Sequence, residues 1–360
     1  MNASPSFWQA AWRRLQKNKG AMGGLVLIIL SVFTAIFSYL IAPDASPYAN
    51  RIILEIGGAK PGFSQEFLVV KKQSPQTVSA IGGMFSGKPD QYDYIPFSSA
   101  TVRGDSIIAQ KFIDEGVSER IAFAKTALAD KPLVKKNFLL GTDKYGRDIM
   151  SRLIIGTRVS LSVGLITVII SLTVGIILGS MAGYFRGRAD DIIMWLINVI
   201  WSIPTLLLVF AVTLLLGKGF WQVFIAVGLT MWVNVARLVR GQVMVTKELQ
   251  YVEAGKALGF SNLRIISKHI LPNIFGPILV IAASNFASAI VIEAGLSFLG
   301  IGVQPPQPSW GLMIKENYNF IITQNPMLAL APGFAIMLLV LSFNLLGNGL
   351  RDALNVRGRI

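Results

Sequence analysis

Few residues in this chain could do chemistry, and their types narrow what chemistry is open. There is no cysteine and one histidine, His269, which excludes disulfides, thiolate nucleophiles, cysteine-based metal sites and multi-histidine metal or proton-relay sites. No GxxxxGK[ST] stretch cradles a phosphate and no catalytic constellation stands out, so the chain has no means of hydrolysing a nucleotide. What remains is sparse. Glu293 is the only acidic residue inside a long apolar run, and burying a carboxylate there is costly enough to make it a functional candidate. It could line a substrate path, take part in proton coupling, or make a hydrogen-bonded structural contact. Asn285 and Ser288 on the same run could line a polar path or bond a neighbouring helix. The other candidate is a polar, basic stretch between two apolar runs, "EAGKALGFSNLRIISKHILPN", from Glu253 to Asn273.

The elements that position these residues are membrane spans. The 360 residues are 53% hydrophobic and 14% charged, with a mean hydropathy of +0.58, above what a soluble domain carries on its surface. The net charge of +14 has no basic module with interleaved aromatics behind it, so it reads as topology rather than nucleic-acid binding. A bilayer core needs about 20 apolar residues in a helix. Six runs fit: Gly20–Ala42, Val159–Tyr184, Ile192–Leu216, Gly219–Ala236, Ile274–Ile301 and Leu328–Leu350. The first follows Arg13, Arg14, Lys17 and Lys19 but is too long for a signal peptide, so it is an anchor. Arg186, Arg188, Arg237, Arg240, Lys247, Lys256, Arg264, Lys268, Arg351, Arg357 and Arg359 fall on the side of the termini, against Lys218 and Lys315 in the short loops opposite. The positive-inside rule then puts both termini and the Glu253–Asn273 stretch in the cytoplasm.

Local patterns add detail. Leu263, Ile266 and Ile270 recur at helical spacing, with Ser261 as the N-cap and Pro272 resetting the chain before the next span. By spacing alone this is equally a linker lying at the membrane surface. In "GRDIMSRLIIGTR", Asp148 and Arg152 are four apart while Ile149, Leu153 and Ile154 share a face, an amphipathic helix leading into the second span. Gly175, Gly179 and Gly183 repeat at four residues, the signature of close helix packing within the bundle or with a partner. "QPPQPSWG" reads as a stiff outer turn anchored at the interface by Trp310. Between the first two spans, "EFLVVKK" and "YDYIPFSSATVRG" have strand-like runs and "VSERIAFAKTALADK" has helical spacing, predicting a small α+β insertion.

Glu253-Ala254-Gly255, Gly259 six residues after the glutamate, and Leu271-Pro272 together resemble the EAA loop of ABC-transporter permeases. Gly255 replaces the second alanine of that pattern, and His269 stands where isoleucine is usual. "LGTDKYGRDIMSRLIIGTRVSLSVGL", "GLSFLGIGVQPPQPSWG" and "NLLGNGLRDALNVR" resemble, in order, the C-type permease of dipeptide and oligopeptide importers. The resemblance implies an all-α membrane protein with six transmembrane helices of the type I ABC importer permease (MetI-like) fold. Residues 1–45 would be the cytoplasmic N-terminus and first helix and 138–360 the permease core, with the EAA coupling loop at about 246–272, while the resemblance does not extend to the extracytoplasmic insertion at 46–137. Glu253, Ala254, Gly255, Ala257, Leu258, Gly259 and Phe260 would dock on an ATPase, while Asn285, Ser288 and Glu293 are candidates for the path. The implied function is a non-catalytic half of the pore of a peptide importer in the bacterial inner membrane. Its implied partners are a second permease, two ABC ATPases that bind ATP and Mg, an extracytoplasmic substrate-binding protein and membrane lipid, with no nucleic acid. The chain itself would hold no cofactor and no metal. Nickel or another small solute is an alternative cargo, and an ion-gradient-driven secondary transporter is the alternative class.

Overall fold

The structure is a computed structural model that describes residues 7–73, 78–114, 116–217, 219–322 and 325–354. Lys218, Arg357 and Arg359, which entered the charge asymmetry, lie outside the described residues. In chain order, α1 (Phe7–Lys17), α2 (Lys19–Ile36) and α3 (Ser38–Ile41) lead into the insertion. The insertion holds β1 (Phe63–Lys71), α4 (Ala80–Ser86), β2 (Tyr92–Arg103), β3 (Ser106–Asp114), β4 (Val117–Ala124) and β5 (Leu128–Phe138). Then follow α5 (Ile149–Phe185), α6 (Gly187–Trp201), α7 (Thr205–Leu216), α8 (Phe220–Thr246), α9 (Gln250–Ala257), α10 (Asn262–Arg264), α11 (Phe275–Phe298), α12 (Trp310–Asn317) and α13 (Met327–Leu354).

Among the described residues five helices, α2, α5, α8, α11 and α13, are long and apolar enough to cross a membrane. The third expected span is not one straight helix. It is the pair α6 and α7, bent by 94°, because Pro204 has no N–H to continue the ladder and disfavours helical backbone at the residue before it. Conversely, the amphipathic lead and the second span are one 37-residue helix, α5, since no proline interrupts that stretch.

The chain divides into two compact units, one comprising Met1–Ser31, Ser160–Gln304 and Ile336–Ile360, the other Val32–Val159 and Pro305–Ala335. In the first, α8 is the helix the others cover: 67% of its apolar window is buried, against 17–39% for the other four. The glycine repeat of α5 packs on it. A Cβ at Gly175 would meet Val235 Cβ at 2.5 Å, one at Gly179 the Ala236 carbonyl at 2.5 Å, and one at Gly183 the Arg240 carbonyl at 2.7 Å. The repeat is therefore spent within the chain, backbone against backbone. A second close approach joins α2 to α13, where Gly24 faces the Ser342 carbonyl and Gly349 faces Ala21.

The second unit holds a five-stranded antiparallel sheet in the order β4-β3-β2-β1-β5. Both faces of β1 are covered: Leu68 packs with Phe97, Ile107 and Leu128, while Phe67 packs with Ile53, Ile56 and Phe138. The helical spacing in "VSERIAFAKTALADK" does not survive. The stretch is β4, a turn at Lys125–Ala127, and the start of β5. Ile121 and Phe123 alternate onto the sheet core and pair with Ala109 and Ile107 of β3, so tertiary pairing overrides the helical preference of the alanines.

Between the insertion and α5, the "TDKYGRD" turn is held by charge. Asp143 accepts from the backbone N–H groups of Tyr145 and Arg147 and from Arg147 Nε at 2.6 Å. Arg147 and Arg152 then both reach Glu316 of α12, at 2.8 and 3.2 Å. The Asp148–Arg152 spacing makes no pair, because Asp148 accepts from the N–H and hydroxyl of Ser151 at the start of α5. Burial pushes the Asp148 carboxyl above the usual range, and those two bonds oppose the shift. Trp310 is not an interfacial anchor: it is buried, donates from Nε1 to the Leu153 carbonyl at 3.0 Å and packs on Gly156.

Gly179→Ala should lower the stability of the detergent-solubilised chain by about 1–3 kcal/mol, the usual cost of overpacking. Gly23→Ala, whose Cβ would meet nothing within 4 Å, should leave the melting temperature unchanged or slightly raised.

Candidate functional site

The basic stretch folds as a short hairpin of helices rooted in the first unit. α8 ends at Thr246, and after a turn α9 begins at Gln250. α9 closes in a Schellman motif: the Phe260 N–H donates to the Gly255 carbonyl and the Gly259 N–H to the Lys256 carbonyl. Gly259 has φ +77° with open space where a Cβ would stand, so the turn needs glycine for its left-handed backbone rather than for a close neighbour. Ser261 then caps α10, accepting from the Arg264 N–H at 3.4 Å.

Beyond Arg264 the chain widens into a π turn over Ile265–Ile270, with the Leu271 N–H donating to the Ile266 carbonyl five residues back. Of the apolar face expected at Leu263, Ile266 and Ile270, Ile270 is buried and Ile266 half-buried against one cluster, while Leu263 is 77% exposed. The wider turn adds Ile265, five residues before Ile270, to that face in its stead. Ile265 and Ile270 join Val252 of α9, Tyr184 of α5, Val239 and Val243 of α8, and Ile274 and Ile278 in one apolar cluster. Polar ties fasten the same place: the Tyr184 hydroxyl donates to Asn262 at 2.8 Å, and Lys247 Nζ to the Tyr184 carbonyl at 2.5 Å. Burial, then the charges of Lys256 and Arg186, lower the Lys247 pKa.

The two departures from the family pattern meet on one ring. A Cβ at Gly255 would lie 3.4 Å from Phe260 Cδ2, and His269 stacks on Phe260 with centroids 5.6 Å apart and planes at 18°. Arg264 also lies 4.0 Å from that ring's centroid. Of the seven residues singled out for docking, Gly255 is buried and Phe260 half-buried, while Glu253, Ala254, Ala257, Leu258 and Gly259 are exposed, Leu258 at 73%.

The path candidates separate. Ser288 lines a cavity of about 400 Å³ among α6, α7, α8, α11 and α13, with Thr205, Thr230, Asn234 and Asn344 as its other polar groups. Asn285 is buried and donates to Ser171 of α5 at 3.4 Å. Glu293 is buried and accepts from Ser297 at 2.6 Å, while Ser297 also takes the Val303 N–H. These contacts tie Glu293 and Ser297 to the turn that follows α11. Thr230, Asn234 and Asn344 were missed in the sequence. Their signal was available: each is an uncharged polar residue inside a span, as Asn285 and Ser288 are.

The sequence pattern of the family described as "Binding-protein-dependent transport system inner membrane component" matches residues 175–359, about half of the chain. That of the "N-terminal TM domain of oligopeptide transport permease C" matches residues 6–54. The chain belongs to the binding-protein-dependent permease family. A glutathione transport system permease from Pectobacterium atrosepticum is 43% identical over 216 residues, 60% of this chain and 71% of the relative. An oligopeptide transport system permease from Bacillus subtilis is 40% identical over 231 residues, 64% of this chain and 75% of the relative. A di/tripeptide transport system permease from Pseudomonas aeruginosa is 34% identical over 351 residues, 98% of this chain and 92% of the relative. That last alignment runs through the 46–137 insertion, which the motifs alone had left apart.

Membership makes this chain a multi-pass inner-membrane permease subunit of an ABC importer, a non-catalytic component of a machine with ATPase and substrate-binding partners. The secondary-transporter alternative is set aside. Within the permease, Gly259→Ala should cost about 1 kcal/mol through the left-handed backbone and Gly259→Asn less. Gly255→Ala, which restores the family residue, should be neutral. Thermal unfolding of the three variants checks all of these.

Proposed function

We propose that this permease forms half of the translocation path for di- to oligopeptides and receives the work of ATP through the α9–α10 hairpin. Its complement would be a second, homologous permease, two ATPases on the hairpin side of the membrane and a binding protein on the other, with both termini cytoplasmic. The observation that carries the reading is the division of the hairpin into two faces. Glu253, Ala254, Ala257 and Leu258 face outward, while Val252, Ile265 and Ile270 are locked into the cluster that holds α5, α8 and the start of α11. A force applied to the outer face reaches these helices as a rigid-body displacement, since a packed core moves rather than deforms. ATP matters here only by favouring one arrangement of the ATPase pair over the other.

Peptide cargo is supported by the three relatives, which are permeases for glutathione, oligopeptides and di/tripeptides. The cavity suits that class. Its polar lining is hydroxyl, carboxamide and the Trp201 indole, with no charged group, which can exchange hydrogen bonds with any peptide backbone without selecting side chains. Selectivity then falls to the binding protein.

In the complete transporter, Leu258→Asp and Ala257→Trp should abolish binding-protein-stimulated ATPase activity and uptake while the permease pair still assembles. Normal coupled uptake in both would sink the docking assignment. Asn234→Leu should reduce uptake of a labelled dipeptide several-fold with stimulated ATPase activity retained. Competition by unlabelled dipeptide, glutathione and nickel separates the cargo classes.

A further inference from the structure

The N-terminal helix α1 carries more than a topology signal. At 100° per residue Trp8, Ala11, Trp12 and Leu15 share one face, and Arg13, Arg14 and Lys17 the opposite one. The apolar face is itself divided. Ala11 and Leu15 are buried, Leu15 in a cluster with Ala21 and Ala353, and Trp8 meets Phe275 edge-on with centroids 6.0 Å apart. Trp8 and Trp12 nevertheless remain 52% and 47% exposed, one turn apart on the same stripe. Asn18 separates this helix from the span that follows: its carbonyl accepts the Met22 N–H and its side chain the Ala21 N–H at 3.1 Å. The end of α1 is therefore held at the very start of α2, the first of the apolar helices long enough to cross a membrane. Arg13, Arg14, Lys17 and Lys19 are all exposed there and make no ion pair among the described residues, and the sequence of α1 has no acidic residue.

We propose that α1 is a docking helix for anionic phospholipid. Trp8 and Trp12 enter the boundary between headgroups and acyl chains, while Arg13, Arg14 and Lys17 hold the phosphodiesters of negatively charged headgroups. Indole rings favour that boundary because they are apolar with one N–H donor. Several cations on one short helix at the surface attract anionic lipid, and added salt screens that attraction. The buried half of the apolar face keeps the helix on the protein, so the lipid is selected at a fixed site beside the start of α11.

Because the chain has no cysteine, Gln16→Cys offers a single attachment point for an environment-sensitive fluorophore on exposed α1. The labelled permease pair in nanodiscs is titrated with phosphatidylglycerol or phosphatidylcholine brominated near the headgroup. Phosphatidylglycerol should quench at a roughly ten-fold lower mole fraction than phosphatidylcholine. The preference should vanish in about 1 M salt and in the triple variant Arg13→Gln, Arg14→Gln, Lys17→Gln. Trp8→Ala with Trp12→Ala should weaken quenching by both lipids. Equal quenching by the two lipids overturns the proposal, as does a probe that neither lipid reaches and that added ATPase subunits shield. The readout needs neither ATP nor cargo, so its failure and the failure of the import reading are distinguishable.

Discussion

The close approach of α5 to α8 is the contact on which the rest of the first unit depends. Three glycines a turn apart let the backbone of α8 lie against α5 where side chains would hold the helices apart. Gly183, the last of them, delivers Tyr184 to the place where the α9–α10 hairpin is rooted. Tyr184 then packs on Val239 and Val243 while holding Asn262 and Lys247. Were the two helices spread, Val252 and Ile265 would lose their seat, and the hairpin would become the loose linker that its spacing alone allowed.

One helix serves both the packing and the cavity. Along α8, Val235 and Val239 face the glycines of α5, whereas Thr230 and Asn234, also four apart, face the cavity. Charged groups are kept to its end, where Arg240 forms a two-pronged pair with Asp190 at 2.5 and 2.6 Å. An uncharged polar stripe is tolerated in a membrane helix because each group can bond locally, as Thr230 does to the Val227 carbonyl. A charge in the same place would demand a fixed partner.

Legibility differed by kind of feature. The positions of the spans, the cap at Ser261, the glycine repeat and the first two strands could be read because each depends on residues close in sequence. The strand nature of Val117–Ala124 could not, since it is set by pairing with β3. Nor could the π turn, which appears only once Ile265 and Ile270 both find the cluster of α5 and α8. Trp310 and Glu316 were similarly opaque. Their partners, Leu153 for one and Arg147 and Arg152 for the other, are more than 150 residues away in the chain.

By itself the sequence determined that this protein lives in a membrane, that it has no chemistry of its own with which to drive transport, and which polar stretch between two spans carries the family pattern. Apolar run length, the absence of cysteine and of a phosphate loop, and motif spacing are local properties that folding does not change. Only the tertiary structure decided which face of the α9–α10 hairpin is exposed and which is rooted. It also decided which polar residues line a cavity and which are spent on neighbours. Ser288, Asn285 and Glu293 look alike in the chain, and a carboxamide or carboxylate acquires its role from the group folding sets within about 3 Å of it. For Asn285 that group is Ser171, for Glu293 it is Ser297, and Ser288 is left facing the cavity.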